Sequence, residues 1–364
     1  METKYVEKQK QGRFLSVDVF RGLTVAAMLL VNNAGDWDHV FPWLEHAEWH
    51  GCTPADFIFP FFLLIVGLSV SLALSPQLER GANVNALRSS VLWRAVRLFC
   101  LGLALHLIAT LTIDGRAFRL LGVLQRIGIC FAFAGLCVLY IRSFIQRWIL
   151  TALILVTSTL ALLAYGSLLP GQNLADHIDT MLLGHFAYSF DAVTGLAHDP
   201  EGIFSTFPAF ASVLLGVQAA WFLRQSKLSA LCLIGVGMLV VGYLMSYWLP
   251  MNKQLWTASF VFWTSGAAYI VIAAFHWLID LKNFPGIGRS FGINSIAAYA
   301  GSWVATCLLA FSGWGDAIYK HVFLPLLGAR FGEDFSSVAF ALAFTAVFAA
   351  LMYGMARKGW RIVI

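Results

Sequence analysis

The sequence predicts an all-α, polytopic membrane protein of about ten transmembrane helices with both termini cytoplasmic. Three observations carry this. The 364 residues are 59% hydrophobic and 12% charged, where soluble domains carry about 25% charge. The apolar residues fall in runs of about 18 to 22, long enough to cross a hydrocarbon core of about 30 Å. The alternating segments of about 10 residues that mark a β-barrel do not occur.

The spans are expected at 14–34, 56–75, 90–111, 121–141, 147–167, 203–223, 228–249, 257–278, 289–311 and 336–356. An even number returns both termini to one side. With the N-terminus cytoplasmic, 17 Lys and Arg residues lie inside and 6 outside, Arg21 standing within the first span. The positive-inside rule therefore orients the chain. The whole of 1–364 reads as one membrane domain, with a charged cytoplasmic tail at 1–13 and no removable signal peptide. The net charge of +5 is spread over short loops, which is a topology signal and not a nucleic-acid footprint.

The first span, opening SVDVFRG, carries Asp18 and Arg21 three residues apart on one helix face. The pair is either structural or lines a polar passage, with Arg21 available to a phosphate. Asn32 and Asn33 end this span, where an amide either caps helix carbonyls or polarises a reacting carbonyl. The loop at 35–55 then holds Asp36, Asp38, Glu45 and Glu48 with His39, His46 and His50, among three tryptophans that include Trp49. A neutral imidazole can take a proton from an attacking amine or hydroxyl, and His46 is the first candidate base. The bland alternative is an interfacial histidine among headgroup-anchoring tryptophans. A zinc site from His39, His46 and His50 with Asp36 or Glu48 competes, but Gly51 and Pro54 argue for a turn and the HExxH order is absent; no metal is expected. Asp56 opens the second span after Thr53 and Pro54. It either closes a helix cap or contacts a cationic substrate.

His106 in the third span reads as a satisfied interior residue. The fourth span contains GVLQRIG, whose Gln125 and Arg126 form a second intramembrane polar pair. Ionisable groups in a span are costly unless paired or facing water, so two such pairs imply a polar cavity through the bundle. The external loop at 168–202 is rich in His, Asp and Glu and long enough for a short helix or lid. The third long external loop is 312–335. Asn294 and Ser295, in GINSIAAYAGS, read as interhelical hydrogen-bonding residues or as lining of that cavity. No P-loop, dinucleotide fingerprint, haem motif or GxSxG is present, and five of the six cysteines lie in spans without a CxxC pair. Nucleotide hydrolysis, hydride transfer and a disulfide framework have no support.

The ordered set SVDVFRG, VNN, EHAEWHGCTPADFIFPFF, GVLQRIG, DPEG, LGVQAA, QLWTASFV and GINSIAAYAG resembles the heparan-α-glucosaminide N-acetyltransferase family of transmembrane acyltransferases, and covers nearly the whole chain. The resemblance implies transfer of acetyl from cytoplasmic acetyl-CoA to the amine of a sugar across the membrane. The family's essential histidine falls on His46 and its adjoining polar residue on Asn32. Asp18, Arg21, Gln125, Arg126, Asn294 and Ser295 then become candidates for the donor's passage, with Arg88, Arg94 and Arg289 as further phosphate contacts. Asp56, Asp199, Glu201 and Trp49 become candidates for holding the sugar. His50 stands where the lysosomal member has Asn, and that member's extra luminal region and N-terminal span have no counterpart here. A bacterial amino sugar, in a bacterial inner membrane, is the acceptor expected. An acetyl-histidine intermediate and direct transfer both fit. O-acylation of an envelope polysaccharide and, lower, a solute transporter are the rival functions. The residues are silent on oligomeric state; family members are often dimers, which makes a homodimer an expectation of the resemblance alone.

Overall fold

The computed structural model describes residues 14–362; the charged tail at 1–13 lies outside them. The chain forms α1 (Leu15–Val31), a 3-10 turn (Pro54–Phe57) running into α2 (Ile58–Glu79), α3 (Val84–Thr112), α4 (Val123–Tyr140) and α5 (Phe144–Tyr165). Next come α6 (Leu174–Leu182), a hairpin of β1 (Ser189–Phe190) and β2 (Ala197–His198), α7 (Ile203–Arg224) and α8 (Leu228–Met245). α9 (Ala258–Phe275) continues as a π turn to Leu281. The last elements are α10 (Arg289–Ile293), α11 (Ser295–Ser312), α12 (Trp314–Ile318), a π-helical stretch (Tyr319–Gly328), α13 (Ala329–Phe331) and α14 (Glu333–Arg357).

Nine helices among the described residues have the length and apolarity to cross a bilayer. α1, at 17 residues, is a shorter helix and rises about 26 Å. The protein is thus an all-α integral membrane protein. Two expectations need correction. The run 289–311 is not one helix: it breaks at Asn294 between α10 and α11. The side chain of Asn294 is spent on the C-terminal backbone, donating to Trp360 O at 3.2 Å and accepting from Ile362 N at 3.3 Å. The segment 312–335, read as a loop, is largely helical. The loop at 168–202 does contain a short helix, α6.

α2 and α7 form the centre. Leu63, Leu64, Leu68, Val213, Leu214 and Val217 are fully buried. Lipid is as apolar as these side chains, so close packing and not water exclusion holds such helices together. Glycine permits the approach. A Cβ on Gly67 would stand 1.9 Å from Val213 O, and one on Gly216 would stand 1.9 Å from Leu64 O. In contrast, only 17% of α11 and 22% of α8 is buried, which puts both at the periphery.

α1 is fixed at both ends. Asp280, from the π turn after α9, caps its first turn: Leu15 N donates to Oδ1 at 2.9 Å and Ser16 Oγ to Oδ2 at 2.5 Å. A carboxylate there satisfies N–H groups left free at a helix start. At the other end, Asn33 Nδ2 donates to Leu29 O at 2.7 Å, and Thr306 Oγ1 of α11 donates to Asn33 Oδ1 at 2.5 Å. The capping role open to both asparagines thus falls to Asn33. Asn32 is exposed, and its side chain bonds to no described residue.

Candidate active site

The loop at 35–55 has little regular structure, so its hydrogen bonds must come from neighbours. Asp56 supplies most of them. Its Oδ2 accepts from Ala47 N at 3.0 Å, Thr53 N at 3.0 Å and Thr53 Oγ1 at 3.1 Å. Thr53 Oγ1 also donates to Glu45 O at 2.6 Å. The backbone is therefore pinned on both sides of His46. Asp56 Oδ1 receives no in-line hydrogen bond. It is instead approached by His46 Nδ1 at 2.9 Å and by Lys253 Nζ at 3.5 Å. The carboxylate is 1% exposed and the imidazole 45%. This is a buried Asp behind an accessible His, with Nε2 as the nitrogen left for a substrate. Asp56 closes the helix cap, one of the two readings open to it, and lies behind His46.

The loop docks on the 246–257 turn. Gly51 N donates to Met251 O at 2.7 Å, His50 Nδ1 lies 3.4 Å from Asn252 Nδ2, and Gln254 Nε2 donates to Glu48 O at 3.3 Å. His39 turns elsewhere, to Asp36 at 3.2 Å and to Glu333 at 2.8 Å. Its hydrogen bond to Asp36 raises its pKa. The three imidazoles of the loop thus have different partners. Among the described residues no three His, Cys, Asp or Glu side chains are arranged to hold a metal.

Trp49 ties this loop to the next, its Nε1 donating to Leu168 O at 2.8 Å and its ring lying 5.6 Å from that of His198. Asp199 is consumed by Arg119, which donates from Nε at 3.1 Å and from its NH2 at 2.6 Å. Tyr188 N and Glu201 N complete its shell at 3.0 and 2.9 Å. Arg119 also pairs with Glu201 and stacks on Tyr188 at 4.8 Å. Burial pushes Glu201 upward, but the charges of Arg119, Arg126 and Lys253 and the Arg119 hydrogen bond together outweigh it and hold the carboxyl below its usual range. Asp199 and Glu201 are both buried, and their pairing with Arg119 makes them internal latches of the 168–202 segment. Arg126, fully buried, donates to Pro200 O at 2.9 Å and Ser205 Oγ at 2.5 Å and lies over Trp256. It anchors the same segment from below.

Asp179, on α6, is the strained member of that segment. Oδ1 accepts from Ile203 N at 3.0 Å, while Oδ2 is buried without a partner. Burial, opposed by the Ile203 bond and reinforced by the charge of Asp199, pushes its pKa up to about 7 from 3.8. The folded state therefore binds a proton that the unfolded chain releases. Its stabilising contribution is full below about pH 4 and is lost as pH rises towards 7. Relative to Asp179→Asn, the wild-type protein is expected to lose on the order of a few kcal/mol over that window. Thermal unfolding of the pair between pH 4 and 8 checks it; parallel curves would refute it.

A cavity of about 440 Å³ runs between α1, α2, α3, α4 and α11. Arg21, Val25 and Met28 of α1 line it, with Ser69, Arg94, Ser295 and Tyr299 from other helices. A second space of about 330 Å³ adjoins it at the Asp18 end, sharing Arg21, Ser69, Ala73 and Gln77. At the far end Leu124 and Tyr299 lead to a narrow gap bounded by His106, Gln125 and Trp303. His46 lines none of these spaces. On α1, however, Arg21, Val25, Met28 and Asn32 fall at helical spacing, so Asn32 continues the cavity face beyond Met28. Arg21 donates to Ser69 Oγ at 2.6 Å and to Gly292 O at 3.1 Å and meets Asp18 at 3.4 Å. Arg94 stacks on Phe131 at 5.0 Å, and its Nε is buried with no hydrogen-bond partner.

Of the donor-passage candidates, Asp18, Arg21, Gln125 and Ser295 line these spaces, whereas Arg126 and Asn294 are held elsewhere. Arg94, a further phosphate-contact candidate, is a helical residue facing the main cavity. Lys253 and Arg119 are two of the six external basic residues, and the sequence assigns neither a role at the site. Their one sequence signal is position, Lys253 directly before QLWTASFV and Arg119 three residues before GVLQRIG.

The family model described as heparan-alpha-glucosaminide N-acetyltransferase, catalytic, matches residues 13–246. A human protein named heparan-alpha-glucosaminide N-acetyltransferase is 30% identical over 354 residues, covering 79% of this chain and 52% of the relative. A mouse protein of the same name is 28% identical over 358 residues, covering 81% and 54%. The chain spans about half the length of the curated relatives it matches.

Proposed function

Since this chain belongs to the heparan-alpha-glucosaminide N-acetyltransferase family, we propose that it moves an acetyl group from acetyl-CoA to the amine of a glucosamine-type sugar on the opposite side of the membrane. The observation that carries the reading is the pairing of an accessible His46 on a buried Asp56 with a cavity whose α1 face leads to Asn32.

The cavity fits the donor. Its volume lies in the range of small-molecule sites. Arg21 and Arg94 offer guanidiniums to phosphate oxygens, and Arg94 has an Nε in want of an acceptor. From Arg21 to Asn32 the helix rises about 16 Å, within the span of an extended pantetheine arm. The donor enters at the Asp18 end, cytoplasmic by the charge bias of the loops. The membrane is the bacterial inner membrane, and a homodimer is the assembly the family favours.

The amine nitrogen attacks the thioester carbonyl. A C–N bond forms, the oxygen becomes an oxyanion, and the nitrogen's proton passes to Nε2 of His46. Collapse breaks the C–S bond, and the departing thiolate takes up that proton. Asp56 fixes the imidazole and favours its charged form as the proton arrives. Asn32 Nδ2 is the donor free to meet the oxyanion, a contact worth about 3 to 4 kcal/mol of barrier. Purified protein with acetyl-CoA and glucosamine is expected to release free thiol only when the sugar is present. Release with a polysaccharide hydroxyl and not with an amine would replace this reading with O-acylation.

A further inference from the structure

Lys253 is a charged residue that this reaction scheme leaves without a task. It belongs to a turn built with unusual rigidity. Asn252 N donates to Thr257 Oγ1 at 3.0 Å, Leu255 N to Asn252 Oδ1 at 2.8 Å, and Thr257 Oγ1 to Pro250 O at 3.0 Å. Trp256 adopts φ +54, a left-handed conformation rare for a bulky side chain. It is locked there by full burial, by an Nε1 bond to Ser212 Oγ at 3.0 Å and by edge contacts with Phe59 and Phe260. Strain of this kind persists only where the surroundings over-determine it, and it collects at working sites. What the turn delivers is an ammonium group. Lys253 is 19% exposed, and its Nζ stands 3.5 Å from the Asp56 oxygen that His46 approaches at 2.9 Å. The other titratable groups facing it are Glu201 and the thiol of Cys52, which burial pushes up to about 12, and Glu201 is in turn held by Arg119.

We infer that Lys253 is a positioning residue for the acetyl transfer, holding Asp56 Oδ1 so that one carboxylate both orients His46 and is restrained from overcharging it. The inference rests on the acetyltransferase reading. An Asp alone stabilises the imidazolium and keeps the base protonated. A cation on the same oxygen offsets that field and leaves Nε2 free to accept a proton. The charge of Glu201, which Arg119 holds, also acts on Lys253, so the 168–202 segment contributes to the field at this cation.

The test reads His46 directly. Diethyl pyrocarbonate modifies an imidazole only in its neutral form, and modification at His46 is followed by peptide mass spectrometry against pH, with neither substrate present. In Lys253→Met the midpoint is expected to move up by about one pH unit, and the acidic limb of the kcat/KM profile to move with it. Lys253→Arg is expected to restore both. Lys253→Gln, which keeps a donor without charge, should repeat the methionine result and replaces that variant if it does not accumulate. A midpoint unchanged or lowered in a folded Met or Gln variant overturns the proposal. Because modification needs no turnover, failure of the acetyltransferase reading would leave this result standing and is distinguishable from it.

Discussion

His46→Ala is expected to lower sugar-dependent thiol release by about 10²- to 10⁴-fold, the worth of a positioned general base. Thermal stability should change little. The imidazole is 45% exposed, so its removal opens no core void. Asp56 keeps its three bonds to Ala47 and Thr53 and its contact with Lys253. Donor binding should also survive, because His46 does not line the cavity. Acetyl-CoA protection against thermal unfolding, measured beside the kinetics, separates these effects. Loss of turnover with protection intact is the expected pair. Turnover within about threefold of wild type would remove His46 from the chemistry and return the Trp-rich loop to an interfacial role.

Arg119→Met carries the largest expected effect on stability. It leaves Asp199 and Glu201 buried without their cation, and a broken buried pair costs about 3 to 5 kcal/mol. The loss should be local first. Residues 168–202 hold two short strands and a nine-residue helix, and Arg119 is the cation that ties Asp199 and Glu201 to the rest. Limited proteolysis is expected to cut this segment at temperatures where the wild type resists, ahead of global unfolding. Adding Asp199→Asn and Glu201→Gln to the Arg119 variant should recover part of the stability, because no unpaired charge then remains. Equal protease resistance of wild type and Arg119→Met would mean that the hairpin is held by its apolar contacts around Leu121 and Leu183 alone.

Much of this was legible in the residues. Apolar runs of bilayer length mark helices without any tertiary knowledge, and all ten have helical counterparts. The pairing of Asp18 with Arg21 follows from helical spacing, and it is present at 3.4 Å. The break at Asn294 was not legible. Gly292, Asn294 and Ser295 are weak helix formers, but such residues also occur inside membrane helices, and the interruption becomes visible only where Asn294 takes the C-terminal backbone. Gln125 and Arg126 looked like one polar pair. Neighbours in sequence on a helix point about 100° apart, so one meets the His106 gap while the other anchors Pro200 and Ser205. Asp199 and Glu201 read as open carboxylates because their partner, Arg119, is 80 residues away. Lys253 is likewise separated from Asp56 by most of the bundle, and no local pattern announces an ion pair formed by two loops.

The central claim is that one path joins a donor cavity at the Asp18 end to a base at the Asn32 end. Sidedness tests it most directly. In sealed proteoliposomes of uniform orientation, acetyl-CoA is supplied only to the face at the Asp18 end of α1 and glucosamine only to the face bearing His46. N-acetylglucosamine is expected on the His46 side, with CoA thiol on the Asp18 side. Product formed only when both substrates share one face would contradict a path across the membrane.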